Sequence, residues 1–171
     1  PTAAWADSLT VGGWAAGNGT PVLLTSTESL HPAVDAWLSN HSLTDLTLVG
    51  GTAALSSAVA DALPDSERVS GAERAGTAVA IEDDLWSSPS DTRIIINGYE
   101  ANAWAYGLIA AGLAADDDAP ILMAQTDSVP PATADSLGAC GVDRLQVVGP
   151  ESLVSNQTLA ELVSILEGCS T

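Results

Sequence analysis

One segment of this chain is written twice. Residues 5–63 and 104–162 align without a gap at an offset of 99 residues, which carries Pro21 onto Pro120 and Trp5 onto Trp104. The same offset places Gly13 on Gly112, Ser29-x-x-Pro32-Ala33 on Ser128-x-x-Pro131-Ala132, and Val49-Gly50 on Val148-Gly149. Self-similarity at a fixed period marks repeated modules and restricts the chain to folds in which one unit is used twice. A duplicated unit without a duplicated catalytic set points to binding or architecture rather than chemistry.

Short apolar runs alternate with longer Ala-rich stretches. Strands are predicted at Pro21–Thr25, Leu46–Val49, Glu67–Val69, Arg93–Asn97, Pro120–Ala124 and Arg144–Val148. Most are apolar at nearly every position, as strands buried on both faces must be. Helices are predicted at Trp5–Ala16, Pro32–Ser39, Ala54–Leu63, Arg74–Trp86, Ala101–Ala115, Pro131–Leu137 and Leu153–Leu166. Pro32 and Pro131 suit a first helical turn, and Ser56 and Ser155 fall where a side-chain oxygen can cap free N–H groups. This alternation predicts an α/β fold: parallel sheets with helices on both faces, in about two tandem Rossmann- or toprim-like units.

The division expected is a partial first repeat over 1–66 and a complete second repeat over 67–171. The strand Arg93–Asn97 leads into the second copy, whereas position 1 maps onto Glu100, so the first copy has no counterpart of that strand. Either the strand lies upstream in a longer protein, or another chain or element fills the gap. The edge beside Pro21–Thr25 and Leu46–Val49 is therefore expected to invite pairing.

Charge narrows the partners. The 22 acidic residues against 4 basic ones, all Arg, give a net charge of −18. Such a surface repels nucleic acid, whose affinity comes mainly from phosphate neutralisation, and repels anionic membranes. It suits high salt, where screening shortens self-repulsion. The longest apolar run, Trp104 to Ala115, is too short to span a bilayer and reads as a buried helix, so no membrane insertion is expected.

The segment Arg68-Val-Ser-Gly-Ala-Glu-Arg74-x-x-Thr77-Ala-x-x-Ile81, with Leu48-Val-Gly-Gly-Thr-Ala-Ala-Leu-Ser56 before it and Ala119-Pro-Ile-Leu-Met123 after it, resembles the cell-wall-binding repeat type 2 family. Trp5-Ala-Asp7-Ser-Leu9 resembles the start of the family's helix, and Pro21-Val-Leu-Leu-Thr25 its following strand. The resemblance covers nearly the whole chain. It departs from the family pattern in holding only one Arg-x-Ser-Gly-x-x-Arg, and in ending the second copy Val148-Gly-Pro-Glu151 rather than Gly-Gly. It implies an extracellular or cell-surface protein whose repeats, often three around a pseudo-threefold arrangement, bind cell-wall or envelope polysaccharide without covalent chemistry. The alternatives are a self-assembling, salt-adapted surface-layer or filament subunit, acting as a homo-oligomer or with further repeats of a longer chain, and an enzyme on a Rossmann-like scaffold.

Cys140 and Cys169 fit no zinc or redox spacing; two free buried thiols are one reading, and a disulfide is preferred because the chain looks extracellular. Three of the five Asn, Asn18, Asn40 and Asn156, stand in N-x-[ST] sequons and are candidate glycosylation sites. Arg68 and Arg74 are half of all the cations. They form either a fork for an anionic glycan or phosphate, or a structural clasp on carboxylates or carbonyls that holds two repeats together. Gly50, Gly51 and Thr52, between a strand and a helix, either bind a ligand by cradling an anion on free N–H groups or simply make a tight turn. The runs Glu82-Asp83-Asp84 and Asp116-Asp117-Asp118 lack calcium-loop spacing and read as solvated faces. His31 and His41 do not recur in the second copy, and no phosphate-binding or nucleophile motif is present, so no catalytic residue, metal or cofactor is expected.

Overall fold

Three consecutive isoleucines decide the architecture of the second copy. They sit in Thr92–Asn97, where every residue is buried, so both faces of that strand must be covered. The computed structural model describes residues 5–41, 43, 45–63, 65–86 and 90–169. The elements run α1 (Trp5–Gly17), α2 (Pro32–Ser39), β1 (Leu46–Val49), α3 (Ser57–Asp61), β2 (Ser66–Val69) and α4 (Arg74–Leu85). They continue with β3 (Thr92–Asn97), α5 (Trp104–Asp117), β4 (Ile121–Ala124), α6 (Pro131–Gly138), β5 (Arg144–Val147) and α7 (Asn156–Glu167).

Among the described residues, two parallel sheets result. In one, β3 is central in the order β4-β3-β5, with Ile95 opposite Leu122 on one side and Val147 on the other. In the other, β1 pairs with β2, Leu48 opposite Arg68. The main core gathers Ile94, Ile95 and Ile96 with Leu122, Met123, Leu137 and Leu162. Each such side chain contributes roughly 1.5–3 kcal/mol on burial. Two smaller clusters centre on Val11, Val69 and Ile81, and on Leu48, Val59 and Leu63.

The strand expected at Pro21–Thr25 does not form. Those residues join no sheet, and Leu24 is 72% exposed. Its counterpart is β4, which pairs with β3; among the described residues no strand lies beside 21–25, so an apolar run of the same kind finds no ladder. Three helices also begin later than predicted. α3 starts at Ser57, α5 at Trp104 and α7 at Asn156, because residues 52–54, 101–103 and 151–153 form turns before them, capped by Ser56 and Ser155 at α3 and α7. Ser155 accepts from the Thr158 N–H, whereas Ser56 makes no such bond.

The copies meet helix to helix. Gly13 of α1 faces Ala114 and Gly107 of α5 faces Leu9, so closely that a Cβ at either glycine would overlap its neighbour. The expectation that α5 is a buried helix holds for that face only, since Trp104, Leu108 and Ile109 are exposed. The acid runs are not wholly solvated either. Glu82 pairs with Arg93 and Asp117 with Arg144, leaving Asp83, Asp84, Asp116 and Asp118 outward. Cys140 and Cys169 are joined as a disulfide that ties α6 to the end of α7.

Candidate functional site

In parallel α/β sheets, ligand sites gather at the carboxyl ends of the strands. Here the ends of β1, β2 and β3 converge on a seam between the two copies. Arg68 crosses it from β2: its guanidinium donates to the carbonyls of Gly50 and, at 2.9 Å, Leu55. Arg74 opens α4, donates to the Gly98 carbonyl just past β3, and lies 4.9 Å from the Tyr99 ring centroid. That placement adds a cation–π attraction. Both arginines thus fasten loop carbonyls.

Glu73 caps α4, its carboxylate accepting from the N–H groups of Ala75 at 2.9 Å and Gly76 at 2.8 Å. The Tyr99 hydroxyl donates to the same carboxylate at 2.5 Å. Burial acts upward on the Glu73 pKa, but Tyr99, the two amides and the Arg74 charge outweigh it, so Glu73 titrates below the usual range. Burial and the hydrogen bond to Glu73 push the Tyr99 phenol well up. Asp7, in the first turn of α1, is raised by burial; Arg74 opposes the shift and Glu73 reinforces it.

Gly50 turns β1 toward α3 with φ +113, and Gly149 does the same in the second copy with φ +145. A Cβ at Gly50 would also stand 2.8 Å from Asp7 Oδ2. The carbonyl of Gly51 accepts from the Ala54 and Leu55 N–H groups, and Pro150 accepts from Leu153 and Val154 in the matching turn. Thr52 is exposed on its rim. The structure therefore brings Gly50 and Arg68 into contact and sets Arg74 beside Asp7. The sequence did not single out Asp7, Glu73 or Tyr99. The first two lay inside the quoted motifs and were the available signal.

Elsewhere, His31 caps α2 through its ring and His41 stacks on Trp37, which accounts for both histidines structurally. Asn18, Asn40 and Asn156 are all exposed, each with its amide hydrogen-bonded locally. Among the described residues, no cluster of His, Cys, Asp or Glu is arranged to hold a metal ion, and no helix is long and apolar enough to cross a membrane.

These features define a tandem α/β repeat module whose polar groups collect at an inter-repeat seam. The chain belongs to the cell wall binding domain 2 family, which it matches over residues 2–60 and 68–159. It is 25% identical over 166 residues to the N-acetylmuramoyl-L-alanine amidase LytC of Bacillus subtilis (strain 168), covering 96% of this chain and 32% of that protein. Among solved structures it resembles Cwp8 from Clostridium difficile, with TM-score 0.78 and 26% identity over 98% of this chain and 29% of that one. It shares the fold of Cwp6 from the same organism, with TM-score 0.79 and 24% identity over 94% of this chain and 26% of that one. The chain thus spans about a third or less of each of these relatives. Membership makes it a cell-wall-binding module and places it at the cell wall or cell surface.

Proposed function

We propose that this chain is a non-enzymatic attachment module that fastens a longer protein to envelope polysaccharide at the seam. The observation that carries the reading is that two matched family segments meet where Arg68 of one grips the Gly50 turn of the other. Around that point stand Asp7, Glu73, Tyr99, Arg74, Gly51 and Thr52. Carboxylates and hydroxyls accept hydrogen bonds from sugar hydroxyls, and guanidinium N–H groups not engaged by carbonyls donate to sugar oxygens or carboxylates. Sedimentation with purified envelope polysaccharide in molar salt tests it. Thr52→Ala and Arg74→Gln should each weaken binding about tenfold, or ~1.4 kcal/mol. Unchanged binding by a variant that keeps its circular dichroism would move the site elsewhere.

One observation favours a second reading, assembly with further repeats or further copies. In α1, Leu9, Thr10 and Gly13 are buried, Leu9 and Gly13 against α5; their counterparts Leu108, Ile109 and Gly112 are exposed. Unlike faces of equivalent helices are in contact, which is a heterologous arrangement that leaves one face ready for the next unit. Light scattering in high salt should show mass above the monomer, restored to monomer by Leu108→Glu. A monomer at all concentrations would end this reading. Glycans on Asn18, Asn40 or Asn156 fit the same cell-surface setting, and intact mass of the native material before and after deglycosylation reveals them.

A further inference from the structure

Three asparagines stand in N-x-[ST] sequons, and the fold treats them differently. Asn156 opens α7, and its amide donates to the Glu151 carboxylate at 2.6 Å across the turn before that helix. The hydroxyl of its sequon belongs to Thr158, which is fully buried and donates to Thr126 O at 2.8 Å. Residues two apart on a helix do not face each other, so the Asn156 amide and the Thr158 hydroxyl lie on different sides. A transferase that must engage both groups of a sequon reaches only the amide.

Asn18 and Asn40 sit past the ends of helices instead. Asn18-Gly19-Thr20 leaves α1 in a turn, with Asn18 and Gly19 exposed. Gly19 takes φ +64, which carries the chain out of the helix, and a Cβ built on it meets nothing within 4 Å. Asn40 is the exposed C-cap of α2 and precedes exposed His41; Ser42 lies outside the described residues. The Asn18 and Asn40 amides donate to carbonyls of their own helices, Trp14 O at 2.9 Å and Ala36 O at 2.7 Å. Bonds so exposed are readily exchanged for other partners, since water replaces them at small net cost. Neither sequon belongs to the repeat, because the offset of 99 carries Asn18 onto Asp117 and Asn40 onto Ala139.

Both also lie away from the seam. Asp7, in the first turn of α1, stands against the Gly50 turn at the carboxyl end of β1. Asn18 follows the other end of that helix, about 16 Å further along its axis at the helical rise. Asn40 comes before β1, toward that strand's amino end. We infer that Asn18 and Asn40 are the acceptor sites for N-linked glycan and that Asn156 is not one. The acceptor amide nitrogen attacks the anomeric carbon of a saccharide carried on a polyprenyl phosphate, held by a membrane-bound transferase. The C–N bond forms as the C–O bond to phosphate breaks. The lipid phosphate leaves with the electron pair, and one amide proton is released. The product is a sided module, with saccharide at the amino ends of the strands and the Arg68–Gly50 seam at the carboxyl ends. That sidedness rests on the reading of the seam given above; the choice among the sequons does not.

The test is glycopeptide mapping by mass on protein purified from the cells that make it. Cleavage after Glu28 parts Asn18 from Asn40, and cleavage after Glu151 parts Asn156 from both. The expected result is saccharide on Asn18, Asn40 or both, with Asn156 bare. Saccharide on Asn156, or on none of the three, would overturn the inference. The double variant Asn18→Gln, Asn40→Gln should sediment with envelope polysaccharide within about twofold of the original chain, because both changes lie away from the seam. A loss of about tenfold or more in a variant that keeps its circular dichroism would overturn the sidedness. If no form of the chain sediments, the reading of the seam fails, and the mass map still decides which sequons are used.

Discussion

Leu23 and Leu122 hold the same place in the repeat, and their surroundings differ almost completely. Leu122 is fully buried between β3 and the covering helices; Leu23 is 39% exposed beside an open cleft. The two runs, Pro-Val-Leu-Leu-Thr and Pro-Ile-Leu-Met-Ala, have the same local character. What separates them is a neighbour. Strand propensity measures how well side chains pack on a pleated, half-buried surface, so a run that lacks its partner does not become a strand. The comparison shows that the same run is buried where β3 pairs with it and exposed where no described strand does.

The largest expected effect concerns a feature only copy two possesses. Cys140 and Cys169 correspond to His41 and Ser70, so the disulfide has no equivalent in copy one. With a sequence separation of 29 residues, reducing it should cost about 3–4 kcal/mol in the chain-entropy description. Urea unfolding with and without reductant measures this. Two alkylated cysteines before reduction would show that the bond is absent.

Next comes the direct contrast. Leu122→Ala should destabilise by about 3 kcal/mol, and Leu23→Ala by less than about 1, because only the first leaves a cavity in a closed core. Equal losses would mean that copy one packs its run as tightly as copy two.

The seam offers a smaller, pH-dependent pair. Glu73 has a lowered folded pKa, so its contribution is present above the ordinary carboxylate value and is lost as pH falls through the folded value. Glu73→Gln should cost about 1 kcal/mol at neutral pH, mainly through the cap, and the gap to the original chain should close in acid. Asp7 has the opposite sign. Its raised pKa gives a contribution present below the ordinary value and lost as pH rises through the folded one. Asp7→Asn should therefore remove a loss of stability on the alkaline side of that window. Matched denaturation series from pH 3 to 7 decide whether the two slopes oppose each other.

The smallest effect is ionic. At a net charge of −18, melting should rise by about 2–4 °C between 0.1 and 1 M NaCl as like-charge repulsion is screened. The Leu122 and Leu23 contrast should survive unchanged in molar salt, since it rests on packing. A flat salt curve would show the acids already compensated locally.

Periodicity made most of this fold legible. The apolar runs at Leu46, Arg93, Pro120 and Arg144 are strands within a residue of where they were read, and Pro32 and Pro131 begin their helices. The failures share a cause. Whether 21–25 pairs depends on a strand distant in sequence, and whether an acid is solvated depends on which Arg the fold delivers to it. Glu82 and Glu73 look alike in the sequence; one meets Arg93, the other caps a helix under Tyr99. The roles of Arg68 and Gly50 were visible as alternatives, a ligand fork or a clasp, because both use the same donors.

Each of the four arginines has a partner: loop carbonyls for Arg68 and Arg74, carboxylates for Arg93 and Arg144. With its cations so engaged, the molecule presents its neighbours with a fringe of nearly one sign. Copies arrayed on a wall would hold one another at arm's length by a counterion cloud, whose thickness at 0.15 M salt is about 8 Å. Raising the salt would let the same array draw in, so lateral spacing becomes a property of the medium as well as of the protein.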